Sequence, residues 1–207
     1  MDGINIFVII VLILSVIIHE ISHGYAALAL GDPTAKFEGR LTLNPLKHLD
    51  PIGSFLVPLL LIISHAGIII GWAKPVPFNP YNLRNARWGE ALVAMAGPAS
   101  NIIVALIFSM IFRFAPQYIM LNQTFLVTIG YVVWINIILA IFNLVPIPPL
   151  DGSKILFAIL PYRWQRVRES FEKYGLIFVF IFIFFLWQIM SPVISYLFTI
   201  LVGQSVF

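Results

Sequence analysis

Five stretches of this chain, at 4–30, 52–71, 91–114, 125–147 and 175–202, are apolar over lengths close to a membrane span. A hydrocarbon core roughly 30 Å thick needs about 20 helical residues, and within it backbone groups must satisfy one another, which favours helices. Composition agrees: 60% of the 207 residues are hydrophobic and 10% are charged, against about 25% charged in soluble domains. The expected fold is therefore an all-α polytopic membrane protein. No linker separates domains, so residues 1–207 read as one unit. With no cysteine, disulfides, thiolate metal sites and a cysteine nucleophile are excluded. The net charge of +3 is small, and its lysines and arginines flank apolar runs, so nucleic acid is not an expected partner. The opening Met1-Asp2-Gly3 has no basic character, which argues against a cleaved signal.

Lys and Arg mark the cytoplasmic side. They occur in the connections 31–51 (Lys36, Arg40, Lys47), 72–90 (Lys74, Arg84, Arg87) and 151–174 (Lys154, Arg163, Arg166, Arg168, Lys173). The first two connections share a side only if 52–71 enters and leaves on one face, as a re-entrant segment or hairpin. Four crossings then remain, with both termini outside; the alternative is a true fifth span at 52–71 with a weak charge signal. Between them, Lys36 to Leu43 alternates polar and apolar residues except at Gly39, predicting a small β-hairpin or edge strand. The Trp72–Pro80 stretch, with three prolines, is irregular or extended. Arg163 to Lys173 reads as an amphipathic interfacial helix, and Pro192 as a kink in the last span.

The first apolar run contains His19-Glu20-Ile21-Ser22-His23. Ionisable groups at membrane depth are costly without partners and mark function. On a helix, His19 and His23 share one face, the geometry that clamps zinc, with Glu20 beside them to accept a proton from water. A catalytic zinc site normally has three protein ligands. Asp151, just past the 125–147 span, is the best third ligand. Counting from Ile4, about 15 residues at 1.5 Å put His19 roughly 22 Å into the core, nearer the cytoplasmic side, where the 125–147 helix also ends.

The chain resembles the site-2 protease family of intramembrane zinc metalloproteases. The resemblance rests on His19–His23, on Gly97-Pro98-Ala99-Ser100-Asn101, and on Asn143-Leu144-Val145-Pro146-Ile147-Pro148-Pro149-Leu150-Asp151-Gly152. Two further blocks, Asn44–Gly53 and Gly71–Pro77, are similar to the small prokaryotic branch, without PDZ or CBS domains. The resemblance implies a three-helix catalytic core from 4–30, 91–114 and 125–147. It also implies one Zn2+ on His19, His23 and Asp151, with Glu20 as general base.

Asn101 and Asn143 are expected either to hold substrate or an oxyanion, or to bond neighbouring helices. His48, in a turn with Asp50, reads as a support for a ligand or as a stabiliser of its own turn. A helical substrate hides its peptide bonds and must unwind before cleavage; the 36–43 strand or the 72–80 stretch could pair with it. The expected partners are the lipid bilayer and membrane proteins with a transmembrane helix. A metal transporter is the competing class, but only one span carries a cluster and no internal symmetry appears. An inactive scaffold is disfavoured by the complete set of candidate ligands.

Overall fold

The structure, a computed structural model, describes residues 3–56, 59–60, 63, 72–117, 120, 122–161 and 164–203. Its helices are α1 (Gly3–Ala29), α2 (Thr34–Phe37), α3 (Ala86–Phe114), α4 (Gln123–Leu144), α5 (Asp151–Ile159) and α6 (Gln165–Val202). Among the described residues, α1, α3 with the 3-10 turn Ala115–Gln117 that follows it, and α4 supply three segments long and apolar enough to cross a membrane: Ile6–Ala29, Arg87–Gln117 and Gln123–Leu144. They coincide with the three helices expected to form the core.

Local chemistry sets the ends of these helices. Asn85 caps α3 and Asn122 caps α4, each side chain accepting a backbone N–H three residues on. Val145 precedes Pro146 and is extended, which stops α4 at Leu144. α6 closes on Gly203 in the left-handed region.

α3 sits at the centre, packed against α1, α4, α5 and α6. One apolar cluster joins α3, α4 and α6 through Phe112, Val133, Ile137, Ile194 and Phe198. A second, around Val11, Val132 and Ile135, joins α1 to α4. The polarity is inverted relative to a soluble domain. Ile9, Ile10, Ile13, Ile103 and Ile107 face outward, whereas Ser15, His19, His23, Asn101 and Asn136 are buried. A continuous apolar exterior of this kind suits lipid and not water.

Three expectations need revision or fall elsewhere. Residues 36–43 do not form a strand, and no strand occurs among the described residues. Gly39, the one break in the alternation, takes φ +62° and ends α2. The Gly39 N–H reaches Lys36 O and the Arg40 N–H reaches Ala35 O, the paired bonds of a Schellman cap. Residues 165–173 do not make a separate interfacial helix: they are the first turns of α6, which continues through Pro192; Arg163, where that helix was expected to start, lies outside the described residues. The re-entrant reading of 52–71 lies largely outside the described residues; its start, Pro51–Leu56, is a short π-helical turn.

The end of α1 is pinned by Asp32, which is wholly buried. Its carboxylate accepts from the Thr34 N–H and hydroxyl, the Asn79 N–H and the Asn82 amide. Burial pushes this carboxyl up, but the hydrogen bonds win and hold it below its ordinary value. A depressed carboxylate stabilises the fold fully above the unfolded pKa of about 4, and the contribution fades as pH falls toward the native value. Asp32→Ala is expected to cost about 1–3 kcal/mol. Thermal unfolding of detergent-solubilised protein would show the loss at neutral pH and a shrinking difference from the parent in acid.

Candidate metal centre

His19 and His23 lie one turn apart on α1, their rings edge to face with centroids 4.7 Å apart. The turn Val145–Leu150, with its cis Pro148–Pro149 peptide, delivers Asp151 as the first residue of α5. Asp151 Oδ2 stands 3.1 Å from the Nε2 of each imidazole. These three ligand atoms all lie within 4.8 Å of one another, and all three residues are buried.

The other ring nitrogens decide what the Nε2 atoms offer. His23 Nδ1 is 2.7 Å from the carbonyl of Val93, which can only accept, so Nδ1 carries the proton. His19 Nδ1 is 2.6 Å from Asn101 Oδ1. The Asn101 amide is oriented by Nδ2, which donates to Asn136 Oδ1 at 2.9 Å and to the Ser15 carbonyl at 3.4 Å. Asn136 Nδ2 donates in turn to Ser15 Oγ and to Val132 O, each at 2.9 Å. With Nδ1 engaged in this way, both rings turn Nε2 toward the Asp151 carboxylate. The three atoms converge closely enough to share one metal ion.

The fit to zinc is good. Bonds of about 2.0–2.2 Å in a tetrahedral site separate neighbouring ligands by roughly 3.3–3.6 Å, close to the spacings seen. Nitrogen ligands held through Nδ1–H by a carbonyl or amide are the usual support of such sites. Asp151 Oδ1 faces away from the imidazoles, toward Lys154 Nζ at 3.7 Å. Room for the cluster comes from Gly97 on α3, where an added Cβ would lie 2.5 Å from both Nε2 atoms. α5 is held against α3 by Arg87, whose guanidinium donates to the carbonyls of Ala158 and Leu160.

Glu20 is half-buried, and its Oε2 accepts the Val76 N–H at 2.8 Å. The irregular segment Trp72–Asn79 thus lies against this end of α1 through Val76. The remaining predicted residues are placed differently. Asn101 is fully buried with its amide occupied by His19, Asn136 and Ser15, so it stands behind a ligand and not at a substrate surface. Asn143 donates to Leu139 O within its own helix. His48 donates from Nε2 to Thr42 O and braces its own loop. Ser15, Asn136 and Lys154 were not singled out by sequence reasoning. Ser15 and Asn136 did carry a signal, as isolated polar residues in apolar spans.

Comparison with known proteins gives the same direction. A family model described as "Peptidase family M50" matches residues 115–186. Over 199 residues the chain is 39% identical to "Putative zinc metalloprotease YwhC" of Bacillus subtilis, covering 92% of this chain and 83% of that one. The chain belongs to the site-2 protease family, peptidase family M50. It is also 31% identical over 179 residues to "Putative zinc metalloprotease Rip2" of Mycolicibacterium smegmatis, spanning 86% of this chain and 66% of that one. An 89-residue match at 36% identity joins 42% of the chain to 44% of "Putative zinc metalloprotease MJ0611" of Methanocaldococcus jannaschii. No solved structure gives a significant match.

Two substitutions test the support of the cluster. Gly97→Ala forces a methyl group into the imidazoles, and Asn101→Leu removes the acceptor that orients His19. Each is expected to weaken zinc binding by roughly 10–100-fold, read by competition with a chromophoric chelator.

Proposed function

We propose that this chain is a zinc-dependent intramembrane endopeptidase that hydrolyses peptide bonds within or near transmembrane segments of membrane proteins. The observation that carries the reading is the convergence of His19 Nε2, His23 Nε2 and Asp151 Oδ2 among apolar helices, with Glu20 adjoining on the same helix. His19, His23 and Asp151 would hold one Zn2+. When bound, the ion supplies Lewis acidity, polarising the scissile carbonyl and making water acidic enough to attack near neutral pH.

The chain's own residues do the rest. Asn101 and the Val93 carbonyl keep Nδ1 of each imidazole protonated and the rings fixed. Glu20 accepts the proton that water loses as it attacks, then returns it to the departing amine, so the acid and base steps balance. The Val76 N–H holds one carboxylate oxygen, so the group is oriented before substrate arrives. A substrate helix must open locally, because its amides are otherwise bonded within it. The 72–79 segment beside Glu20 is the surface such an opened strand would meet.

Glu20→Gln is expected to keep zinc bound while cleavage of a single-span test peptide in liposomes falls by at least about 100-fold. His23→Ala and Asp151→Ala should lose metal and cleavage together. Gel assays with zinc, with chelator and with these variants decide the matter; full turnover by Glu20→Gln would overturn the base assignment.

The same reading places the site nearer the cytoplasmic face of a cell membrane, with both termini outside. Because the chain has no cysteine, single cysteines report sidedness cleanly. Tyr81 and Met120 are almost fully exposed, on opposite connections. Met120→Cys should react with an impermeant maleimide on intact cells, and Tyr81→Cys only after permeabilisation.

A further inference from the structure

Arg40 is 4% exposed, and among the described residues no carboxylate lies within ion-pair distance of it. A buried guanidinium without a counter-charge is costly unless other acceptors replace water. Arg40 Nη2 donates to Lys74 O at 2.8 Å and to Pro75 O at 3.1 Å. The second contact has a consequence for the candidate active site. Pro75 O belongs to the peptide unit whose N–H is that of Val76, and this N–H donates to Glu20 Oε2 at 2.8 Å. One planar peptide group therefore carries a cation at its oxygen and a carboxylate at its hydrogen.

Peptide resonance moves electron density from nitrogen to oxygen. A guanidinium at the oxygen stabilises that shift and makes the N–H a stronger donor, the cooperative effect of linked hydrogen bonds. The sequence reinforces the arrangement. Pro75 and Pro77 have fixed φ and no N–H, so Val76 supplies the one amide donor of this triplet. The segment is also tied down by Lys74 N–H to His48 O at 2.9 Å and Trp72 N–H to Gly53 O at 3.2 Å. Arg40 itself is aimed by the Schellman turn at Gly39 that ends α2. Among the described residues Glu20 Oε1 has no hydrogen-bond partner, so Val76 fixes one oxygen and leaves the other for chemistry.

We infer that Arg40 is a positioning residue for Glu20, acting through the Pro75–Val76 peptide. Arg40 touches no reacting atom. It holds the peptide whose N–H sets the carboxylate's orientation, and it supplies the missing counter-charge at one remove. The inference rests on the general-base role of Glu20 for its effect on turnover, but not for the contact itself.

The test uses the full chain, purified and zinc-loaded, with Arg40→Met, Arg40→Lys and Val76→Pro variants. Arg40→Met and Val76→Pro are each expected to lower kcat by about 10–100-fold, with KM within about two-fold of the parent and zinc content unchanged. Their double variant should be no worse than the more impaired single, because both break one relay. Arg40→Lys keeps the charge and should recover part of kcat. Amide hydrogen exchange supplies the readout independent of turnover: exchange at Val76 should rise in Arg40→Met and in Glu20→Leu. Parental kcat in Arg40→Met, or a loss of kcat that only follows a loss of bound zinc, would overturn the inference. So would protection at Val76 unchanged in Arg40→Met. If Glu20→Gln proves active, the base reading fails, while the exchange data still judge the Arg40–Val76–Glu20 contact separately.

Discussion

His19, His23 and Asp151 are brought together on one buried point among apolar helices, close enough to share a metal ion. That convergence organises the molecule. It requires α1 to carry His19 and His23 one turn apart, and α5 to begin where Asp151 meets them. It also requires α3 to omit a side chain at Gly97. The polar atoms behind the imidazoles follow from the same demand, since a lone pair at Nε2 needs a proton, and therefore an acceptor, at Nδ1.

Much of this was legible in the sequence because it rests on short-range rules. The four-residue spacing of His19 and His23 fixes a shared helical face, and span length fixes depth, which pointed to Asp151 from the end of a distant helix. The core spans emerged within a few residues of their observed ends, whereas the caps at Asn85 and Asn122 were seen only in the structure. The local rules failed where two signals competed. Alternation over 36–43 matched a strand, yet the break at Gly39 belonged to a Schellman turn, and the turn prevailed because its hydrogen bonds are local. The basic start of α6 looked separable from the apolar remainder at Gly175, yet the helix runs unbroken through that residue.

What sequence reasoning missed was pairing across helices. Asn101 was visible as an amide in an apolar span, but its choice between substrate and neighbour depended on Asn136 and Ser15, contributed by two other helices. Nothing in the spacing of 15, 101 and 136 encodes their meeting. The contact between Arg40 and the Pro75–Val76 peptide is similarly invisible, since one partner is backbone.

The Ser15–Asn101–Asn136 network bridges α1, α3 and α4, and it ends on His19. Helix packing and ligand orientation are thus one mechanical system. Membrane helices answer changes in bilayer thickness by tilting. A tilt of α4 relative to α1 would act on this amide chain and, through Asn101, on the contact that orients His19. Bilayer thickness and the geometry of the candidate metal site are thereby joined through two asparagines and a serine.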